Sequence, residues 1–278
     1  MKSSSIGVIG VGLIGGSIAL AARRAGYTVK LFEPFAKLNS RKYRGTVLVQ
    51  DVRALVTNTQ LVIIATPISA LASLAKDLAA LVRPETVISD VASVKGAVVE
   101  ILRPALSGRC EYLPSHPMAG SEKSGPESAK ATLFENSVTI VSPDFTVSGE
   151  SVKLVEDFWR ELGSRVLRSS VSEHDRLVAA ISHLPHLVAA LLIDSIANHT
   201  PAALNFAGPG FRDVTRVVSG SPGLWTEILL ANRLALLEHI ANFRDTLDTV
   251  SRFLELADPK SLQAFLEAAK RNRDKLAR

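Results

Sequence analysis

The chain has 278 residues, of which 47% are hydrophobic and 21% are charged, and its formal net charge is +5. The length is typical of two domains, and the apolar content excludes a chain that is disordered throughout. Because Cys110 is the one cysteine in the sequence, an internal disulfide and a cysteine-rich zinc module are excluded. The mild charge, with only 5% aromatic residues, suits an ordinary surface and an anionic small molecule, and it does not predict nucleic-acid binding.

Two further features concern localisation. The first residues run directly into an apolar strand-like segment at 6–10, without the basic and apolar regions of a secretory signal. The most apolar stretch, residues 187–193, is too short to span a bilayer and is predicted to be a buried helix. Together with the single thiol, these features predict a cytoplasmic protein with no membrane partner.

The first 168 residues alternate between strand and helix patterns. The predicted strands are 6–10, 28–33, 61–66, 86–90, 112–115, 138–141 and 165–167. The predicted helices are 13–24, 69–81, 94–102 and 149–162. Because near-continuous apolar strands alternating with helices are typical of parallel sheets covered on both faces, we predict an α/β fold. Residues 1–168 would form a Rossmann-type, doubly wound, mostly parallel sheet that binds a dinucleotide.

The strand pattern stops at about residue 170. Three helices are predicted at 172–198, 222–256 and 259–276, so residues 169–278 would form a second, all-helical domain. Their apolar stripes exceed what so few helices can bury among themselves. We therefore expect a homodimer formed through this half, although a larger core within one chain would also explain the pattern.

A glycine-rich loop follows the first predicted strand and opens a helix. Its sequence, Gly-Val-Gly-Leu-Ile-Gly, has the spacing G-x-G-x-x-G. The first glycine allows a tight turn, the second lets the backbone approach a pyrophosphate, and the third lets helix and strand pack closely. This context favours dinucleotide binding at the helix N-terminus over a merely structural turn. The predicted cofactor-binding residues here are Gly10, Gly12, Leu13, Ile14 and Gly15.

The acidic residue that ends the second predicted strand bears on the choice of dinucleotide. Glu33 would accept hydrogen bonds from a ribose 2′-hydroxyl and repel a 2′-phosphate, which favours NAD. A basic run follows it, formed by Lys37, Arg41, Lys42 and Arg44. This run could hold a 2′-phosphate, which leaves NADP as the alternative, or it could be a solvated face.

Three segments with reactive groups lie at the ends of predicted strands, at the sheet edge where doubly wound folds bind their ligands. Thr66 and Pro67, in the first segment, are predicted to bind the cofactor, and the other two segments contain Ser93, His116, Ser121 and Glu122. His116 is a candidate general base because the ordinary pKa of histidine lies close to neutral pH. A loop histidine bonded to the backbone is an equally compatible interpretation.

The helical half adds two histidines and an arginine. His183 and His186 have the i,i+3 spacing that places them near one face, with Pro185 expected to kink the helix. The sequence offers no clear third ligand, so no metal is predicted. Arg216 could bind a carboxylate, although a surface arginine is the alternative.

Taken together, these motifs resemble the prephenate/arogenate dehydrogenase family of tyrosine biosynthesis. The matching segments occur in order at 12–17 (GLIGGS), 93–95 (SVK), 116–122 (HPMAGSE), 182–186 (SHLPH), 211–216 (FRDVTR) and 222–225 (PGLW). The resemblance implies an N-terminal nucleotide-binding domain and a C-terminal helical dimerisation domain. It also implies NAD(P)-dependent oxidative decarboxylation of a dianionic prephenate or arogenate substrate, with no residue that decides between the two.

The resemblance further implies roles for individual residues. His116 would be the catalytic base at the substrate ring hydroxyl, and Ser93 would assist it. Arg216 would bind a substrate carboxylate. The remaining residues of the implied substrate pocket are His183, His186, Ser121, Glu122 and Trp225.

Two alternative functions fit parts of the sequence. One is another NAD(P)-dependent dehydrogenase with a helical second domain, of the β-hydroxyacid dehydrogenase or imine reductase type. The other is a non-catalytic nucleotide-sensing module, which would not need His116, Ser93 or Arg216.

Overall fold

The computed structural model describes residues 4–34, 38–39, 41–121, 123–144 and 147–276. Contacts divide the chain into two compact units, Met1–Arg233 and Leu234–Arg278. The first unit therefore contains all the sheets and also the first helices of the C-terminal half. The boundary predicted between residues 168 and 169 stays a prediction.

A six-stranded parallel sheet forms the centre of the first unit. Its strands are β1 (Ser5–Ile9), β2 (Thr28–Phe32), β3 (Val47–Leu48), β4 (Leu61–Ile64), β5 (Val87–Asp90) and β6 (Glu111–Tyr112). Their spatial order is β3-β2-β1-β4-β5-β6, so the chain winds outward from β1 in both directions. This confirms the predicted Rossmann-type fold, and the change of direction between β1 and β4 is where such sheets bind their ligands.

Helices cover both faces of this sheet, and its central strand β4 is apolar at every position. Along β4, Leu61 and Ile63 point into one core, and Val62 and Ile64 point into the other. This alternation follows from the two-residue period of a strand. The helices between these strands are α1 (Leu13–Arg24), α2 (Val52–Val56), α3 (Leu71–Leu81) and α4 (Gly96–Leu106), with a 3-10 turn at Ile68–Ala70.

A smaller sheet follows the main one. It consists of β7 (Ser115–Pro117), β8 (Val138–Val141) and β9 (Arg165–Arg168), with α5 (Gly149–Glu161) between the last two and a 3-10 turn at Pro126–Ser128. The prediction of one strand over 112–115 was wrong, since β6 ends at Tyr112 and β7 begins at Ser115 in another sheet. Pro114 has no N–H to donate to β5, so the ladder cannot continue through it.

The helical part of the first unit begins with one long helix whose middle turn is π-helical. It consists of α6 (Val171–Val178), a π-helical segment at Ala179–His183 and α7 (Leu184–His199). The prediction of a helix over 172–198 is confirmed, and Pro185 lies in the first turn of α7, where a missing N–H is tolerated. The later elements are a 3-10 helix at Pro201–Phe206, α8 (Pro209–Thr215), a 3-10 turn at Arg216–Ser219 and α9 (Pro222–Ala231).

The helix predicted over 222–256 is divided in two. Asn232 leaves the helical conformation, with φ −106° and ψ 24°, and separates α9 from α10 (Arg233–Glu255). The last helix is α11 (Pro259–Lys275), and the Asp258 side chain accepts hydrogen bonds from the amides of Lys260 and Ser261 at its start.

Within the described residues, one continuous helix, 171–199, is long and apolar enough in composition to cross a bilayer. Its most apolar window has a mean hydropathy of 1.7 but is only 28% buried. Because a core or interface helix of a non-membrane protein passes the same test, this finding on its own is weak evidence for a membrane span. The prediction that the helix is buried at 187–193 was wrong for the single chain, in which Ala189 is buried but Leu191 and Leu192 are exposed. The same helix carries three buried histidines, at 174, 183 and 186.

Candidate active site

The glycine loop between β1 and α1 has the geometry expected of a phosphate cradle. Gly10 has φ +86°, a conformation that side chains disfavour. A Cβ on Gly15 would lie 1.9 Å from the Gly10 carbonyl oxygen, so helix and loop pack too closely for any side chain. A Cβ on Gly12 would instead project into open space in front of the helix. This space is where the backbone amides of Leu13 and Ile14 begin α1.

Polar groups around this loop fit a dinucleotide. The carboxylate of Glu33 accepts a hydrogen bond from the Val11 amide at 2.6 Å, so it lies directly beside the loop. The Thr66 hydroxyl is buried after β4, and among the described residues it has no hydrogen-bond partner. Pro67 precedes the 3-10 turn there. A buried hydroxyl without a partner costs free energy that a ligand would recover.

The basic run after Glu33 is only partly described. Lys37 lies outside the described residues. The Lys42 ammonium donates a hydrogen bond to the Glu127 carbonyl oxygen, and the Arg44 carbonyl accepts one from Arg23. Lys42 is thus engaged with a loop of its own unit, whereas Arg41 and Arg44 are exposed.

His116 lies in β7 and is only 8% exposed. Its Nδ1 is 2.8 Å from Nε2 of His174, and Nδ1 of His174 is 2.7 Å from Oδ1 of Asp175. The Asp175 carboxylate also accepts hydrogen bonds from the backbone amides of Lys95 and Gly96, at 2.8 and 2.7 Å. The candidate base is therefore the outer member of a buried His–His–Asp chain.

Burial lowers the pKa of His116 well below its usual value, and the nearby His174, Lys95 and His183 lower it further. Burial disfavours the imidazolium because a charged ring loses its hydration, and the positive charge of Lys95 repels it. His116 is consequently neutral at pH 7, which is the state that can accept a proton.

A buried ion pair lies directly behind β7. Lys95 and Asp90 form a salt bridge in which each side chain is 1% exposed. The Lys95 ammonium also donates to the Ser115 carbonyl at 2.6 Å, and the Tyr112 hydroxyl donates to Asp90 at 2.7 Å. These bonds tie the end of β5 to the residue before His116. Half-buried Ser93 lies in the same β5–α4 loop, between Asp90 and Lys95.

The π-helical segment brings two further histidines into contact with Trp225. The His186 ring stacks on Trp225, with centroids 3.5 Å apart and planes 13° apart, and the His183 ring meets it edge-on at 6.4 Å. Such segments insert one extra residue into a turn and are frequent at functional sites. His183 and His186 therefore lie on one face of the helix, as their spacing predicted, and both rings contact Trp225.

The unpaired ring nitrogens of His183 and His186 indicate a ligand-binding site. The side-chain amide of Asn232 donates to Nδ1 of His183 at 3.1 Å, so the neutral ring carries its hydrogen on Nε2. That Nε2, like Nδ1 of His186, is buried without a hydrogen-bond partner among the described residues. Burial lowers the pKa of His183 to about 4 and that of His186 in the same direction. Both rings are therefore neutral donors or acceptors at pH 7.

The other predicted site residues are placed as follows. Arg216 is exposed and lines an open cleft of about 440 Å³ together with Arg212, Thr215 and Ser219. The hydroxyl of exposed Ser121 accepts a hydrogen bond from the Lys123 amide at 3.2 Å. Glu122 lies outside the described residues.

Sequence reasoning missed His174, Asp175 and Asn232. The Ser170 side chain caps α6, and His174 and Asp175 follow it near the start of this helix. The adjacent His-Asp pair was the signal in the sequence that could have indicated them. Asn232 had no such signal, since it stood within a predicted helix.

Comparison with known proteins identifies the family. Residues 18–168 match the model of the prephenate dehydrogenase nucleotide-binding domain, and residues 170–268 match that of the prephenate dehydrogenase dimerization domain. The chain belongs to the prephenate dehydrogenase family. The first match begins at residue 18, after the glycine loop. The assignment of this loop to dinucleotide binding therefore depends on its sequence and geometry.

Individual relatives agree with this assignment. A prephenate dehydrogenase of Bacillus subtilis (strain 168) is 34% identical over 96% of this chain and 74% of its own length. The structure of Synechocystis arogenate dehydrogenase has a TM-score of 0.85 and 31% identity, covering 98% of this chain and 99% of its own. That of the prephenate dehydrogenase of A. aeolicus with hydroxyphenyl propionate and NAD+ has a TM-score of 0.89 and 26% identity, covering 99% of each chain.

Family membership makes this chain a dehydrogenase with a nucleotide-binding domain, as the sequence predicted. It excludes the β-hydroxyacid dehydrogenase, imine reductase and nucleotide-sensing alternatives. Two substrate names, prephenate and arogenate, occur among relatives of similar identity.

The glycine loop yields a prediction with a matched pair of variants. Gly15→Ala forces a Cβ against the Gly10 carbonyl and should lower the free energy of unfolding by roughly 1–3 kcal/mol. Gly12→Ala places its Cβ in open space, so the unliganded protein should keep its melting temperature, whereas dinucleotide binding should weaken roughly tenfold or more. Thermal melts and fluorescence titration measure the two effects. Unchanged dinucleotide affinity in Gly12→Ala would show that the cofactor does not use this loop.

Proposed function

We propose that this protein catalyses the NAD-dependent oxidative decarboxylation of prephenate, arogenate or both, giving 4-hydroxyphenylpyruvate or tyrosine. The observation that carries the proposal is His116: a buried, neutral imidazole whose Nδ1 is held by His174. In this reaction the substrate ring loses a hydride from C4 and CO2, and it becomes aromatic. The hydroxyl proton that the base accepts during oxidation is returned to the phenolate oxygen of the product. The aromatic product makes the reaction effectively irreversible.

Bound NAD would supply the hydride acceptor, and the A. aeolicus relative binds NAD+. The residues proposed to hold the dinucleotide are Gly10, Gly12, Leu13, Ile14, Gly15, Glu33, Thr66 and Pro67. The pyrophosphate would lie at the start of α1, where Gly12 leaves room. Glu33, fixed beside the loop by the Val11 amide, would receive the ribose hydroxyls.

His116 would act as the general base. Since its Nδ1 is bonded to His174, its Nε2 is the ring nitrogen that accepts the proton of the substrate hydroxyl. Ser93, in the loop after β5, would assist at the same hydroxyl and near the nicotinamide. Because its pKa is lowered, His116 is unprotonated at neutral pH before substrate binds.

The substrate pocket would be completed by groups from the helical part of the first unit. His183 offers a buried Nε2–H donor, and His186, stacked on Trp225, offers a second buried ring nitrogen. These unsatisfied atoms would bond to substrate oxygens. Arg216 would bind a carboxylate, because guanidinium holds a carboxylate through two parallel hydrogen bonds. Ser121 and Glu122 are proposed as further pocket residues from the loop after β7.

We also propose that the protein is a cytoplasmic homodimer. Its C-terminal part matches the family dimerization domain. In the first unit, the exposed apolar side chains of the helical part include Ile181, Leu191, Phe206, Val214 and Leu230. In the second unit, Leu234, Leu237, Leu247, Leu254 and Leu266 are likewise exposed. A second copy covering these side chains would explain the apolar helix 171–199 without a membrane, with residues 1–168 and 169–278 as functional domains.

The first prediction concerns the cofactor. The kcat/KM value for NAD should exceed that for NADP, because Glu33 repels a 2′-phosphate. Glu33→Gln removes the negative charge and should narrow the difference, mainly by improving use of NADP. A wild-type preference for NADP would mean that the basic residues after Glu33 dominate.

The second prediction separates the base from the carboxylate ligand. His116→Asn should lower kcat by roughly 10²–10⁴-fold with little change in KM, because the amide cannot accept the proton. Arg216→Ala should raise KM by roughly 10–150-fold, because an exposed charge-assisted bond contributes about 1.5–3 kcal/mol. Wild-type kcat/KM should stay level at neutral pH and fall only below about pH 6.5, in line with the lowered pKa of His116 in the unliganded protein. Near-normal kcat in His116→Asn would disprove the base assignment.

The third prediction concerns assembly. Sedimentation equilibrium at micromolar concentration should give twice the chain mass of 29.8 kDa. Phe206→Asp and Leu230→Asp should each weaken the dimer, because a charged carboxylate would be buried against the partner. A monomer for the wild-type protein would remove the proposal.

A further inference from the structure

We propose that His174 and Asp175 are positioning residues that fix His116 in the tautomer with Nε2 unprotonated and stabilise the imidazolium formed when it accepts a proton. The proposal rests on His116 being the base of the proposed function and extends it to two residues of α6. Neither residue would touch substrate; both would act through His116.

The direction of each hydrogen bond follows from counting donors and acceptors. The Asp175 carboxylate accepts from the amides of Lys95 and Gly96, so it is held as an acceptor. Nδ1 of His174, 2.7 Å away, must then carry a hydrogen. In a neutral His174 ring this leaves Nε2 as an acceptor, and so Nδ1 of His116 must be the donor. The lone pair of His116 is consequently on Nε2.

The chain of hydrogen bonds is also rigid. The His174 side chain is fully buried, and that of Asp175 is 14% exposed. The backbone carbonyl of Asp175 accepts a further bond, at 2.8 Å, from Asn232, which also bonds to His183. Neither imidazole can turn without breaking a buried hydrogen bond, and a buried polar atom left without a partner is energetically unfavourable.

The charges around His116 show why a carboxylate is needed here. The cationic or ionisable groups facing it are His174, Lys95 and His183, and each lowers its pKa. Asp90 is engaged in the buried salt bridge with Lys95. Asp175 is the acidic group joined to His116 through a hydrogen-bonded ring. When Nε2 accepts the hydroxyl proton, an O–H bond breaks and an N–H bond forms, and Asp175 offsets the new positive charge through His174.

The test uses two substitutions of His174 with opposite hydrogen-bonding capacity. His174→Phe removes the acceptor, so kcat should fall about 10²–10³-fold with KM within about twofold, as expected when a base loses its orienting partner. His174→Gln keeps an acceptor oxygen and should recover roughly tenfold of that loss. His199→Gln, a change to an exposed histidine of α7, is the matched control and should leave kcat unchanged.

Two further measurements keep the test independent of folding defects. In the wild-type protein, long-range ¹H–¹⁵N spectra should show the hydrogen of His116 on Nδ1; a hydrogen on Nε2 would overturn the proposal. In a His116→Asn background, His174→Phe should add no further loss of kcat, because His174 acts only through His116. A further multiplicative loss would indicate a different role.

The outcomes also separate this proposal from the one on which it rests. If His116→Asn is inactive but His174→Phe and His174→Gln keep wild-type kcat, the positioning role is disproved and the base assignment stands. If His116→Asn itself retains kcat, the base assignment fails and the positioning role fails with it.

Discussion

The buried salt bridge between Lys95 and Asp90 is the interaction on which the candidate site depends. Removing both charges from water carries a large desolvation cost, which only close pairing and further hydrogen bonds offset. Tyr112 and the Ser115 carbonyl supply those bonds, and they come from β6 and from the start of β7. The ion pair therefore joins the main sheet to the small sheet at Ser115, the residue before His116.

The loop after β5 also holds the two residues that connect to His116 by hydrogen bonds. The backbone amides of Lys95 and Gly96, at the start of α4, hold the Asp175 carboxylate. Asp175 holds His174, and His174 holds His116. The loop after β5 thus controls the candidate base from two directions, through the ammonium of Lys95 and through its amide. A small change in this loop would therefore move the His116 ring through these contacts.

Several parts of this architecture could be predicted from the sequence, and others could not. Near-continuous apolar runs predicted most strands of the main sheet, because strands buried on both faces are largely apolar. β3 and α2 were missed because they are short, with two and five residues. The missing N–H of Pro114 could have predicted that the strand over 112–115 is divided there. The strands that pair with β6 and β7 could not be predicted in this way. His174 was missed because its role depends on a contact with His116, 58 residues earlier in the chain.

The buried position of the base is consistent with the charge of the proposed substrate. A dianion close to an exposed imidazole would raise its pKa and favour the protonated ring, which cannot act as a base. Burial and the nearby Lys95 and His183 act in the opposite direction and lower the pKa of His116. With substrate bound, these opposing effects would bring the pKa back toward neutral pH, where a general base works best. Burial and the charge of Lys95 thus keep the His116 imidazole neutral, and able to accept a proton, beside an anionic substrate.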